Sequence, residues 1–255
     1  MASSNTPENE DAQPLVQHLI ELRSRLLHCV ASVLIIFLIL FGFGLSNDIW
    51  HFIGAPLLEV LPNSHMIATN ITSTFLTPFK ITLLAATFIA MPYILWQIWS
   101  FIAPALYANE KRFALPLFVS SIFLFYAGVA FAYYVIFPLI FLFFTTTAPE
   151  QVAVTPDIAT HLTLVIKLFF AFGLAFEIPV ATVLMISAGI ISVEGMAKQR
   201  RYVVVGCFVI GMLLTPPDII SQALLAIPMW ILFEAGLFFG RIVVRKKEQN
   251  EKAMD

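Results

Sequence analysis

Trp99-Ser-Phe-Ile-Ala-Pro-Ala-Leu-Tyr-Ala-Asn-Glu-Lys-Arg112 lies between two long apolar runs. Neither the run leading into it, Ile81 to Ile102, nor the run leaving it, Phe113 to Ala148, contains a formally charged residue. About 20 consecutive apolar residues cross a bilayer as a helix, so this stretch reads as a polar landing at a membrane surface. Pro104 has no N–H and disfavours helix at Ala103, which predicts a helix end there. Glu110, Lys111 and Arg112 then set three charges at the surface. Two readings are open: a connecting loop with orienting cations, or a docking surface whose carboxylate receives a cation.

Working outward, the composition agrees. The chain has 255 residues, 60% hydrophobic and 12% charged, with a mean hydropathy of +0.90. Soluble domains carry about 25% charged residues. The pattern predicts an all-α, polytopic membrane protein with six spans: Leu26–Leu45, Ile81–Ile102, Ala114–Phe144, Leu162–Ile190, Tyr202–Leu214 and Ile219–Gly240. The third, at about 1.5 Å per residue, exceeds the ~30 Å hydrocarbon core, and the fifth falls short of it. The fifth and sixth are expected to form a short hairpin joined by Thr215-Pro216-Pro217-Asp218. Prolines 92, 116, 138, 179 and 228 fall within spans and are expected to kink them into a concave body. The long connection from Ser46 to Thr77, with its Trp50, Phe52 and leucines, is expected to cap one surface.

Lysine and arginine give the orientation. The N-terminal segment has Arg23 and Arg25, the second connection Lys111 and Arg112, and the fourth Lys198, Arg200 and Arg201. The C-terminal segment has Arg241, Arg245, Lys246, Lys247 and Lys252. The alternate connections have none, and the remaining two, Lys80 and Lys167, lie near span starts. This bias puts both termini in the cytoplasm and sets Glu21 and Glu110 on one side. Residues 1–14 are expected to be a disordered cytoplasmic tail, 15–243 one transmembrane domain, and 244–255 a charged cytoplasmic tail. Leu15, Leu19, Leu22 and Leu26 recur at helical spacing, and Glu21 and Arg25, four apart, can pair on that helix.

Enzyme signatures are missing. The chain has no His-Glu-x-x-His, no Gly-x-Ser-x-Gly and no Gly-rich phosphate loop. Histidines 18, 28, 51, 65 and 161 are scattered, so no metal or cofactor is expected, and Cys29 and Cys207 read as small buried residues. A net charge of -2 disfavours nucleic acid as a partner. The chemistry that remains is polar and intramembrane. Glu177 lies mid-span and Glu234 in span six, and an ionisable group at such depth must face protein or water. Glu177 is either a hydrogen-bonded structural residue or a functional one. A proton-coupled small-molecule carrier with Glu177 as its relay is the alternative to a binding and translocating role.

Four segments carry a resemblance. His18-Leu-Ile-Glu21-Leu-Arg23-Ser-Arg25-Leu, Phe101-Ile-Ala-Pro104-Ala-Leu-Tyr107-Ala-Asn-Glu110-Lys-Arg112, Phe172-Gly-Leu-Ala-Phe-Glu177-Ile-Pro179 and Gly211-Met-Leu-Leu-Thr-Pro-Pro-Asp218 occur in that order. Together they resemble the TatC family, the six-span signal-peptide receptor subunits of twin-arginine (Sec-independent) protein translocases. The resemblance covers about residues 13 to 243. It implies a non-enzymatic core subunit of a bacterial cytoplasmic (inner) membrane that binds twin-arginine signal peptides. With the single-span subunits TatA and TatB, and as an oligomer with TatB, it would move folded proteins at the expense of the proton-motive force. It also implies that Glu21 and Glu110 hold the signal peptide, with Arg23, Phe101, Pro104 and Tyr107 nearby. Span five, with Met212, Thr215 and Gln222, would meet TatB.

Overall fold

The computed structural model describes residues 8–60, 66–106, 111–147, 155–215 and 218–252. Among them the chain is helical throughout, apart from short connections and one isolated bridge. The helices are α1 (Glu8–Gly42), α2 (Ser46–Val60), α3 (Ile71–Leu106) and α4 (Lys111–Phe131). A π-helical turn (Ala132–Ile136) joins α4 to α5 (Phe137–Thr147). Then come α6 (Ile158–Ala175), α7 (Ile178–Ser187), α8 (Val193–Lys198), α9 (Arg200–Leu214) and α10 (Ile219–Lys252).

Five segments are long and apolar enough to cross a membrane: His18–Gly42, Ile71–Phe101, Leu115–Thr147, Ile158–Ser187 and Ile219–Arg245. The sixth apolar helix, α9, has 15 residues, about 22 Å at ~1.5 Å per residue, shorter than the ~30 Å core. The expected short hairpin is therefore short on one side only. α10 has 34 residues, because its apolar run passes without a break into the basic segment, and Arg and Lys are good helix formers. It continues as helix to Lys252, through the stretch expected as a charged tail. At the other end α1 begins at Glu8, inside the expected tail, and runs on unbroken into the first span; residues 1–7 lie outside the described residues.

Helix starts on the α2 face are capped by short polar side chains that supply acceptors to orphan N–H groups. Asn70 Oδ1 accepts from Thr72 N–H at 2.9 Å before α3, Asp157 Oδ1 from Thr160 N–H at 2.9 Å before α6, and Asp218 Oδ1 from Ser221 N–H at 2.6 Å before α10. Asp157 also ties two connections together. Its Oδ2 accepts from the Thr69 N–H (3.0 Å) and hydroxyl (2.8 Å). Alongside, Ile67 N–H donates to Pro156 O (3.0 Å) and Ile158 N–H to Ile67 O (2.9 Å). These donors, the Thr69 N–H foremost, hold the Asp157 carboxyl well below the usual carboxylate range.

The main core joins α2, α3, the π turn, α5, α6 and α10 through Ile53, Ile81, Phe137, Leu162, Phe169, Phe172 and Leu225. A second cluster, Met91, Leu95, Trp99, Phe125 and Val180, links α3, α4 and α7. Close helix approach needs glycine at two points. A Cβ at Gly128 would collide with the Phe172 carbonyl, and one at Gly236 would lie 2.9 Å from Pro179 Cα. The predicted cap is α2, which buries Ile53 and Leu57. Below it an apolar cavity of about 540 Å³ opens between α2, α3, α4 and α6. α1 packs along α3, and its candidate span buries no residue.

The prolines do more than bend helices. A proline leaves the carbonyl four residues earlier without its helical donor, and in an apolar medium that carbonyl needs another. Pro56 releases Phe52 O, which accepts from the Tyr133 hydroxyl at 2.7 Å. Pro92 releases Phe88 O, which accepts from the Tyr126 hydroxyl at 2.7 Å. Pro104 releases Ser100 O, which accepts from Arg25 Nη2 at 3.2 Å. The predicted helix end at Ala103 is thus corrected: α3 runs through Pro104 to Leu106, because another helix supplies the missing donor. Pro92, Pro116 and Pro228 sit inside continuous helices, whereas Pro138 follows the π turn and Pro179 follows a true break at Phe176–Glu177.

Candidate functional site

At the end of the molecule that carries the N-terminus, α1 lies against the last turns of α3. Arg25 Nε and Nη2 both donate to Glu21 Oε1, at 2.9 and 2.6 Å, the pair predicted from the spacing. Arg25 also reaches Gln97 Oε1 at 3.2 Å and Ser100 O at 3.2 Å. One turn earlier the His18 ring stacks on Phe101 with centroids 4.2 Å apart. The Glu21 side chain is 42% exposed and that of Arg25 25%. An ion pair so exposed contributes about 0–1 kcal/mol to stability, so its consequence is geometric. A guanidinium tied to a second helix fixes one carboxylate oxygen, and Glu21 Oε2 makes no hydrogen bond among the described residues. That oxygen can accept from a further cation, with Arg23 exposed on the same helix. Tyr107 and Glu110 lie outside the described residues, and so does the Pro104 side chain.

The mid-membrane carboxylate occupies the break between α6 and α7. Glu177 Oε2 accepts from the buried Ser121 hydroxyl of α4 at 2.5 Å, while Oε1 is buried without a partner. Glu177 stands at the N-terminus of α7, where the helix dipole favours negative charge. Glu234 is in a different situation: its Oε2 accepts from Arg200 Nη2 at 2.8 Å, tying the start of α9 to α10.

At the far end of the α9–α10 hairpin, Met212 is exposed, Thr215 is buried and bonds back to Gly211 O at 3.0 Å, and Gln222 is half-buried. The two helices approach closely here, since a Cβ on Gly211 would meet Gln222 O at 3.2 Å. Pro216 and Pro217 lie outside the described residues, and Asp218 caps α10. Tyr202, Val205, Val209 and Met212 on α9, with Ile227 and Ile231 on α10, leave the hairpin broadly apolar and exposed. Among the described residues no group of His, Cys, Asp and Glu could hold a metal ion.

The sequence reading missed Gln97, Ser100 and Ser121 as partners of the charged groups. Two had a visible signal: Ser100 stands four before Pro104, and Gln97 is a lone amide in an uncharged run. Ser121 had none, because its pairing with Glu177 depends on how α4 crosses α6.

Comparison with known proteins points one way. Residues 17–228 match the family described as Sec-independent protein translocase protein (TatC). The chain is 55% identical over 243 residues to the Sec-independent protein translocase protein TatC of Azotobacter chroococcum mcd 1, covering 95% of this chain and 94% of that one. It is 55% identical over 244 residues to the protein of the same name from Escherichia coli (strain K12), with the same coverage of 95% and 94%. The crystal structure of the twin arginine translocase receptor TatC superimposes with a TM-score of 0.80 at 38% identity, covering 89% of this chain and 99% of that one. With the helical architecture and the four motifs, these matches establish that the chain belongs to the TatC family of Sec-independent protein translocase proteins.

Proposed function

We propose that this multi-pass membrane subunit of the twin-arginine translocation system is its signal-peptide receptor, and that Glu21 and Glu110 accept the paired arginines on the cytoplasmic face. The observation that carries this reading is the half-satisfied Glu21 carboxylate. One oxygen is fixed by a guanidinium and the other is free among the described residues. A second guanidinium is the natural complement, since its planar fork matches a carboxylate where an ammonium does not. Two adjacent arginines need two acceptors, and Glu110, just past the end of α3, is the second. Arg25 acts as a positioning residue that holds Glu21 against α3.

The orientation, with both termini in the cytoplasm, is supported by the lysine and arginine bias, and the placement in a bacterial inner membrane by the family. The exposed apolar hairpin around Met212, Thr215 and Gln222 fits single-span partner helices such as TatB and TatA. The buried Glu177 Oε1, without a partner among the described residues, marks a polar group held inside the helical body at the α6–α7 break.

The test is equilibrium binding of a twin-arginine peptide to the purified protein in detergent. Glu21→Gln and Glu110→Gln are each expected to weaken binding about five- to thirtyfold, equivalent to ~1–2 kcal/mol for a partly exposed charge pair. Unchanged affinity in both variants contradicts the assignment.

A further inference from the structure

Among the described residues Lys167 is a cation with no counter-ion. It stands nine residues into α6, about 14 Å along the helix, inside the candidate span Ile158–Ser187. A charge at such depth is costly unless it is paired or reaches polar surroundings. Among the described residues Lys167 makes no ion pair. Its Nζ donates to Leu213 O at 3.5 Å, the long limit of a hydrogen bond, in the last turn of α9, where carbonyls lack intrahelical donors. An ammonium has three donors, so two remain. Asp157, which precedes the same helix, is committed to Thr69 and Thr160. Asp218, across the turn from α9, is committed to Ser221.

The space beside the amine is an open notch of about 530 Å³ between α5, α6 and the end of α9. Threonines 160, 163 and 215 line it together with Phe144 and Leu164. The end of α9 borders it, where the Leu213 carbonyl meets Lys167 nine residues into α6 rather than the first turn of that helix. The notch lies in the α2-side half of the molecule and sets a cation against an apolar wall, the hydroxyls of Thr160, Thr163 and Thr215 being donated to Asp157, Ala159 O and Gly211 O.

We propose that Lys167 binds the phosphate of an anionic phospholipid from the leaflet on that side, the lipid's chains lying against Phe144 and Leu164. A lipid fits better than free phosphate. It brings apolar chains to the apolar wall, whereas a free ion would give up hydration there and bury nothing in return. The bound headgroup fills the notch at the end of α9 and anchors the bilayer where it must thin to meet the hairpin.

The experiment is native mass spectrometry of the full chain in detergent, with phosphatidylglycerol and phosphatidylcholine of identical acyl chains. The wild type is expected to retain one phosphatidylglycerol with about a fivefold or greater preference over phosphatidylcholine, the scale set by one basic residue at a membrane surface. Lys167→Arg should keep the preference and Lys167→Gln lose it. Lys80→Gln, which removes the other basic residue of the α2-side half, should leave it intact. Equal retention of both lipids by the wild type, or a preference that survives Lys167→Gln, overturns the proposal. So does displacement of the lipid by millimolar inorganic phosphate as effectively as by phosphatidylglycerol, which would mark a free-phosphate site. No signal peptide or partner subunit takes part, so the outcome is independent of the receptor reading.

Discussion

At the scale of single residues, a carboxylate one helical turn from an arginine is ordinary on a helix surface. What distinguishes Glu21 is that its arginine is held from the other side by Ser100 O and Gln97. Pro104 makes the Ser100 carbonyl available, so a helix-breaking residue and the carboxylate proposed to receive the signal peptide belong to one arrangement. Arg25→Lys keeps the charge but cannot bridge Glu21, Gln97 and Ser100 at once. It is expected to weaken twin-arginine peptide binding about three- to tenfold, the scale of one lost hydrogen bond of ~1 kcal/mol, in the same detergent titration. Equal binding would show that Glu21 needs no positioning. The Glu21–Arg25 pair was legible from its i,i+4 spacing. Its tie to α3 was not, since the periodicity of one helix does not say which neighbour it meets.

At the scale of elements, the prolines predict a test that simple kinking does not. Tyr126→Phe leaves Phe88 O without a donor and should cost about 0.6–2 kcal/mol in detergent unfolding. Pro92→Ala supplies an N–H to the same carbonyl, so the Tyr126→Phe penalty should shrink toward zero in that background. A penalty unchanged by Pro92→Ala would refute the role of the Tyr126 hydroxyl as the donor that replaces the missing proline N–H. Asp157 gives a second test, through pH. Its carboxyl is depressed in the folded state, so its stabilisation is fully present above the unfolded carboxylate value and is lost as pH falls toward the folded one. Asp157→Asn should therefore lower the unfolding temperature at pH 7, and the gap to wild type should narrow as pH drops below about 4, the unperturbed Asp value. A constant gap would contradict the charge-based account. Helix identity and order were legible here because five of the apolar segments are long enough to cross a membrane, while the shorter α9 was marked by its place between the basic connection and the Pro216-Pro217 turn. The α3 terminus was misread because Pro104 was judged without the arginine that replaces its N–H.

At the scale of the whole molecule, the 15-residue α9 beside the 34-residue α10 leaves a hairpin that is short on one side and exposes an apolar face. Cysteine crosslinking from Met212 and Gln222 should capture a single-span partner helix in membranes, while crosslinks confined to α1, α3 and α4 would move the partner surface elsewhere. Composition alone conveyed the class of the molecule, and the distribution of lysine and arginine its expected sidedness. The concave cavity and the notch at Lys167 depend on helix crossings that no local pattern records. The central claim is that two carboxylates at the cytoplasmic face read two arginines. The most direct measurement compares an Arg-Arg signal peptide with its Lys-Lys counterpart on wild type and on the Glu21→Gln/Glu110→Gln double variant. The account predicts about tenfold or greater preference for Arg-Arg in the wild type, from bidentate pairing, and none in the double variant. Equal binding of the two peptides by the wild type, or a preference that persists without both glutamates, would contradict it.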